Sequence, residues 1–440
     1  MRRPHSLAAA LLSAVALLAP APLIAQPLIA QTTPADTLRV GVTKVDITPT
    51  ALKGLNPMPN GEFTAVHDPL FARALVIADG KTTTAIVATD LIEVGDMDPL
   101  RRRIERELGI PFNNIMITAS HDHSAPRIGG VSPGALAHPG GAESTAYAEG
   151  VFDKIVAALK QSKASAQPAK FGLMTGHADV NVNRDEFTGK TWKLGVNPEG
   201  PSDKTVWVLR FETPAGKPIA VLFNYAVHND VTLGLNEVTG DLSGVAQRYV
   251  EDGLGDGAVA LWTMGPAGDQ DPRVFPRPAP GGKRDPAVSY RAADAQGVMV
   301  GAEVLRVAKL IKDTTGVVKL AADARKVSCP TKPGVNQMAD MTAVNSPTVD
   351  LRLGVILLNH VALASVSGEV VTNIYLHLQK ASPLANTIML TLTNDRVGYI
   401  ADDAAYDRPL FEVNGSPAQR GCAEGAIVGG LTEMISQRLN

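Results

Sequence analysis

The stretch Ile117-Thr-Ala-Ser-His121-Asp-His123-Ser-Ala-Pro126 decides how this chain is read. Asn114 to Ser120 is apolar and partly β-branched, which predicts a buried strand. Two histidines then flank one aspartate. In an extended segment residues i and i+2 point to the same side. His121 and His123 are therefore expected to face one cleft at a strand's end, where open α/β sheets place their sites. Pro126 and Gly129-Gly130 stop any regular element. The pattern reads as a metal-binding loop. A pair of polar turn residues is the plainer alternative, and the other residues that the chain supplies decide between the two.

Working outward, the composition is that of an ordinary globular protein: 440 residues, 45% hydrophobic and 19% charged, with a formal charge of −3. The absence of a basic run argues against a nucleic-acid partner. Arg2-Arg3 followed by the apolar run Ser6 to Ala19 reads as a signal peptide over residues 1–30, with Ala25 and Ala30 as candidate cleavage points. The mature protein is then expected to be exported, periplasmic or secreted. The two cysteines, Cys329 and Cys422, fit one disulfide in an oxidising compartment or two buried thiols.

The predicted elements alternate hairpins and crossovers. Ala74 to Ala78 and Thr84 to Thr89 flank an Asp79-Gly80 turn. Thr205 to Glu212 and Ile219 to Val227 form a second hairpin. Helices are expected at Pro99 to Leu108, Ser144 to Gln161, Asp241 to Glu251, Arg291 to Ile311 and Glu369 to Gln379. Further strands fall at Leu38 to Val45, Ala258 to Met264, Gly316 to Val327, Leu353 to Leu358, Val361 to Val366 and Thr387 to Leu392. No internal repeat is visible. The fold class is α/β, a layered catalytic domain with mixed β-sheets flanked by helices.

His228, at the end of Val221-Leu-Phe-Asn-Tyr-Ala-Val227, occupies a strand-end position like that of His121. Catalytic zinc takes about three protein ligands and an open position. Glu369, after the strand Val361 to Val366, is the carboxylate expected to complete the set; a charge stabilising a helix N-terminus is its ordinary alternative. Gly130-Val-Ser132-Pro-Gly134 matches the GxSxG pattern but lacks the strand before it and the helix after it. Gly268-Asp-Gln-Asp271-Pro is expected to be turn chemistry rather than a calcium loop.

Taken in order, these segments resemble the neutral/alkaline, non-lysosomal ceramidase family. The resemblance rests on Val42-Thr-Lys-Val-Asp-Ile-Thr-Pro49, Asp68-Pro-Leu-Phe-Ala-Arg-Ala74, Thr89-Asp90-Leu91, Ala119-Ser-His121-Asp-His123-Ser124, Asn181-Val-Asn-Arg184, Asn224-Tyr-Ala-Val-His228, Gly265-Pro-Ala-Gly-Asp-Gln-Asp-Pro272, Gly368-Glu369 and Gly398-Tyr399-Ile400. It implies a catalytic domain, expected as a single one over residues 31–440; the family's C-terminal immunoglobulin-like domain is expected to be missing, a departure that bears on substrate choice. It implies a zinc-dependent amidase, one Zn2+ per chain, cutting the amide of an N-acylsphingosine or another amide substrate, with peripheral membrane contact.

By the same resemblance His121, His228, Glu369 and Tyr399 hold the zinc. His123 lies beside the scissile amide and Arg184 lines the pocket. Two further departures bear on substrate choice. Asp271 stands where the family carries a serine near the metal, and is a candidate general base. Phe411, before Glu412, stands where the family carries a second tyrosine that meets substrate. A zinc amidase for a different N-acyl or small amide, and a zinc-containing binding protein without turnover, are the competing expectations.

Overall fold

The computed structural model describes residues 37–58, 61–137, 141–278, 282–333, 342–343 and 345–439. The expected signal peptide, residues 1–30, lies outside them. The first unit of the fold is built from β1 (Arg39–Asp46), β2 (Phe71–Ala78), β3 (Thr83–Thr89), α1 (Asp98–Leu108), β4 (Ile115–Ala119) and α2 (Ala142–Ala164). The Asp79-Gly80 hairpin forms as expected. Asp79 Oδ1 accepts from the amides of Lys81 and Thr82, and Gly80 takes the positive φ, 89°, that the turn requires. β1, β2 and β3 pair antiparallel, and β4 returns parallel to β3 after α1.

A second unit follows the same plan. It comprises β5 (Lys170–His177), the inserted hairpin β6 (Asn181–Phe187) and β7 (Trp192–Asn197), then β8 (Thr205–Glu212), β9 (Pro218–Tyr225), α3 (Asp241–Leu254), β10 (Val259–Met264), the short β11 (Gln270–Pro272) and α4 (Pro286–Leu310). β5, β8 and β9 are antiparallel and β10 is parallel to β9. The third unit comprises β12 (Leu320–Pro330), β13 (Thr348–Leu358), β14 (Val361–Val366), the short β15 (Glu369–Val370), α5 (Thr372–Ala381), β16 (Asn386–Leu390), the short β17 (Tyr399–Ile400), α6 (Phe411–Asn414) and α7 (Ala423–Leu439). β12, β13 and β14 are antiparallel and β16 is parallel to β14.

The chain therefore carries one topology three times: three antiparallel strands, a helix, a fourth strand parallel to the third, and a helix. This corrects the expectation that there is no repeat; the recurrence lies in strand order and not in residue identity. Each sheet covers its outer face with its own helices. α1 and α2 pack Leu100, Ile104, Ile155 and Leu159 on the first, α3 and α4 pack Leu242 and Val300 on the second, and α5 and α7 pack Ile374 and Leu431 on the third. The inner faces of all three share one apolar cluster that includes Leu75, Ile86, Leu209, Leu222, Leu261, Ile356, Leu363 and Ile388. Burial on both faces explains why these strands read as continuous apolar runs.

Cys329, in β12, and Cys422, just before α7, form a disulfide. Of the two expectations for these cysteines, the oxidised one is what the structure contains.

Candidate metal centre

The third and fourth strands of every unit end on the same small region. Past β4, His121 has a φ of 63°, the left-handed region that a non-glycine residue adopts at a cost of about 1–3 kcal/mol. The segment is thus not extended, and the reason His121 and His123 lie together differs from the period-two argument. The turn at His121 swings the chain, and flanking backbone bonds fix it: Ser120 N donates to Thr89 O, Asp122 N to Leu91 O and His123 N to Asn229 O. The two rings sit edge to face with centroids 4.6 Å apart. His228 lies three residues past the end of β9, rather than at it, and its amide donates to Gln270 O.

Both buried histidines have their Nδ1 against a carbonyl: His121 on Ile92 O at 2.9 Å and His228 on Gln270 O at 3.1 Å. A carbonyl only accepts, so each Nδ1 carries the proton and each Nε2 presents a lone pair. Those lone pairs converge. His121 Nε2 is 3.0 Å and His228 Nε2 is 3.3 Å from Glu369 Oε2, and His123 Nε2 is 3.2 Å from His121 Nε2. Glu369 Oε2 has no hydrogen-bond donor of suitable geometry despite being buried. Several acceptors facing each other without a proton between them is what a cation site looks like, and His121, His123 and His228 alone place three ring nitrogens within 4.8 Å of one another. The donor set, imidazole with carboxylate, suits zinc.

The sequence expectation that Glu369 opens a helix is not met. Glu369 lies in β15, one strand-pair position across from Tyr399 of β17, and α5 begins three residues later at Thr372. The sequence resemblance that joined Glu369 to Tyr399 thus has a physical counterpart in a two-residue parallel ladder. Arg396 Nη2 donates to Glu369 Oε1 at 2.9 Å, and Arg396 also meets Glu93 at 2.8 Å. One carboxylate oxygen is therefore fixed by a guanidinium while the other is aimed at the imidazoles. Burial opposes the charge on Glu369, and the Arg396 guanidinium beside it favours that charge. Burial, then the charge of Glu369, pushes the Tyr399 phenol up, against the pull of Arg184.

Arg184, on β6, is buried at the centre of a second set of contacts. Nη1 lies 3.3 Å from His228 Nε2 and 3.1 Å from Asp271 Oδ1. Nη2 donates to Gly268 O at 2.7 Å and Nε to Glu412 Oε1 at 2.7 Å. Its guanidinium carbon is 5.5 Å from the ring centres of both Tyr399 and Phe411. Phe411 opens α6 and packs edge to face on Tyr399 at 5.5 Å. Asp271 is thus engaged by Arg184, with Arg277 Nη2 4.0 Å from its other oxygen. His123 is half-buried and its Nδ1 has no partner. Burial, then the neighbouring His121 and His228, pushes its imidazole well below its ordinary range.

Three residues of this region were not singled out from sequence: Glu412, Arg396 and Glu93. Glu412 was seen only as the residue after Phe411. Nothing in the local pattern marks a carboxylate whose partner is 228 residues away. Two motifs resolve as turn or packing chemistry. Ser132 of the GxSxG match is buried against Asp395. Asp269 accepts from Thr372 N and Oγ1 and from Asn183, tying the glycine-rich loop to the start of α5.

Imidazoles, a carboxylate and a phenol brought from three strand-built units to one buried point make this an α/β protein with a candidate metal centre. Residues 38–276, more than half of the chain, match the family described as neutral/alkaline non-lysosomal ceramidase, N-terminal, and the chain belongs to that family. Neutral ceramidase B of Dictyostelium discoideum is 29% identical over an alignment of 217 positions that covers 44% of this chain and 28% of that protein. The match thus spans under a third of that relative's length. The neutral ceramidase from Pseudomonas aeruginosa has the same fold, with a TM-score of 0.72 at 18% identity over 91% of this chain and 74% of that one. A structure described as ceramidase complexed with C2 aligns with a TM-score of 0.72 at 17% identity, over 92% of this chain and 75% of that one.

Proposed function

We propose that this chain is an exported, zinc-dependent amide hydrolase acting on N-acylsphingosine-type lipids. The observation that carries the reading is the convergence of the His121 and His228 Nε2 lone pairs on Glu369 Oε2, each imidazole locked by a backbone carbonyl behind it. His121, His228, Glu369 and Tyr399 would hold one zinc ion. When bound, zinc supplies Lewis acidity, polarising an amide carbonyl and acidifying water.

The rest is work for the chain's own groups. Arg184, charged and buried, offers donors to a carbonyl oxygen as negative charge develops on it. His123, neutral at rest because burial disfavours its cation, takes a proton from water and returns it to the leaving amine through its unpartnered Nδ1. Asp271, in the place of the family serine, orients Arg184 and is the alternative to His123 as the group that takes the water's proton. The Cys329–Cys422 disulfide supports an oxidising, extracytoplasmic setting.

Two features support the second reading, an amidase for another N-acyl or small amide. Asp271 replaces a hydroxyl with a charge beside the centre, and Phe411 offers no hydroxyl at all.

The test is metal content by mass spectrometry together with cleavage of a fluorescent N-acylsphingosine, on the protein and on His121→Ala. About one zinc per chain with cleavage, both lost in the variant, is the expected result. Zinc without cleavage would move the substrate to the second reading. Folded protein that binds no zinc would overturn the mechanism.

A further inference from the structure

Beside the Arg184–Glu412 pair lies a cavity of about 50 Å³. β6 lends it Asp185, β7 Asn197, α5 Asn373, the segment after β17 Asp402, and α6 Glu412. Its polar wall is thus assembled from the second and third units. Glu412 is 1% exposed. Its Oε1 takes the Arg184 Nε at 2.7 Å. Its Oε2 is equally shut away from solvent and has no hydrogen-bond donor. The group within reach of this carboxyl is a second acid, Asp185. An acceptor turned on an acceptor in a buried space calls for something positive between them.

The rest of the wall narrows what that is. Asn197 Nδ2 is spent on Asn183 Oδ1 and Asn373 Nδ2 on Asp402 Oδ2, each at 3.4 Å. Both amides therefore keep their carbonyl oxygens to offer. Asp269 also lines the cavity, but both its oxygens are taken, by Thr372 and Asn183. Against these four acids stand Arg408, which lies 5.3 Å over the Trp192 ring, and Arg184 just outside. Two negative charges are left over when every group is ionised. Lys332, the lysine that reaches α6, is taken up by Val413 O. No histidine or cysteine lines the cavity among the described residues. Carboxylate and carbonyl oxygens without nitrogen or sulfur suit calcium or magnesium rather than zinc. A space of this size holds roughly four waters, or one ion with part of its water shell, and is too small for an organic amine. A proton is the ordinary way to hold two facing carboxyls, and burial, then Glu412, pushes Asp185 up to about 8. A shared proton needs only that pair, and gives no account of the oxygens of Asp402, Asn197 and Asn373 gathered around the same space.

We infer that this cavity binds a hard divalent cation, calcium or magnesium, through Glu412 Oε2, Asp185 and Asp402, with amide oxygens and water completing the shell. The site is distinct from the histidine centre in both donors and place. Its ion ties β6 to α6 and holds Glu412 in the position from which it orients Arg184. The inference stands apart from which amide the chain cleaves.

The experiment is isothermal titration calorimetry of the full chain, supplied with one equivalent of zinc, with calcium chloride and with magnesium chloride at neutral pH. It is run on the protein, Asp185→Asn, Asp402→Asn and His121→Ala. The protein is expected to take up about one calcium or magnesium ion per chain. Uptake expels the Asp185 proton, so the heat should change with the ionisation heat of the buffer in the protein and not in Asp185→Asn. Both aspartate variants, folded by circular dichroism and with unchanged zinc content, are expected to bind about tenfold or more weakly. His121→Ala should bind as the protein does. Should Asp402→Asn fail to fold, Asp185→Asn decides alone. Absence of saturable binding of either cation, folded aspartate variants that bind as tightly as the protein, or loss of binding in His121→Ala would overturn the inference. A chain that takes up this ion but no zinc refutes the proposed mechanism and leaves the site standing.

Discussion

Arg184 Nε donates to Glu412 Oε1 across 2.7 Å, and both side chains are shut away from solvent. The contact joins the second unit to α6 of the third and sets the guanidinium between His228, Asp271 and Tyr399. Removing one member of a buried pair leaves the other charge without compensation. Glu412→Ala is expected to cost about 3–5 kcal/mol of stability. Glu412→Gln keeps an acceptor for Nε and should cost clearly less. Urea denaturation of both variants checks this, and equal losses would mean that packing, not the pair, is what Glu412 supplies.

Asp185 next to it gives a pH signature. Burial, then Glu412 and Asp269, pushes its carboxyl up to about 8, against an ordinary value of about 3.9 in an unfolded chain. The folded state therefore holds this proton more tightly, and its contribution is full below the unfolded value. Stability is lost as pH rises from about 4 towards 8, because the unfolded chain has already released the proton. Asp185→Asn, which cannot ionise, is expected to gain on the wild type as pH rises from 6 to 8. Denaturation midpoints at those two pH values test it; a constant difference between the two proteins would contradict the assignment.

Gly268 is held by its neighbours more than by its own conformation. A Cβ there would come 2.7 Å from Glu369 O and 3.0 Å from Val370 C. Gly268→Ala must push β15 away and carry Glu369 with it. Zinc affinity is expected to fall by about tenfold or more, as it does when the support of a ligand is disturbed. Competition with a chromogenic chelator measures it, with the circular dichroism spectrum unchanged.

The disulfide closes a loop of 93 residues between β12 and the start of α7. Cys329→Ala/Cys422→Ala is expected to lose about 2–5 kcal/mol. Thermal melting of the wild type with and without reductant should reproduce that loss, and reductant should leave the double variant unmoved.

Much of the scaffold was legible because its strands are buried on both faces and its turns carry their own chemistry. The Asp79-Gly80 hairpin, α1, α2, β4 and β10 lie where apolar pattern and punctuation put them. α4 starts five residues earlier than its apolar pattern suggested, because Asp285 caps it and Pro286 occupies its first turn. β6 and β7 were missed because β6 buries the polar residues Asn181, Asn183 and Arg184 while β7 exposes the apolar Leu194 and Val196, the reverse of a half-buried strand's pattern. At the site, His121, His228 and Glu369 were visible as strand-end groups. Tyr399 entered only through family resemblance, since nothing in a single tyrosine announces the ladder that sets it beside Glu369. Glu412 and Arg396 were invisible for a similar reason: their partners are brought to them by packing between distant elements. The positive φ of His121 could not be read, because histidine's enrichment in that region is too small to mark one position.

The threefold recurrence of the sheet plan has a consequence for how such a chain is made. His121 and His228 belong to the first and second units, and Glu369 and Tyr399 to the third, so the centre has no neighbourhood in sequence. A chain emerging from the ribosome carries two imidazoles early but has no carboxylate or phenol to set beside them until its last third has been synthesised and docked. Cys329 and Cys422 both lie in that last third. Sealing the disulfide and bringing Glu369 and Tyr399 to the two imidazoles therefore belong to the same late step of biogenesis.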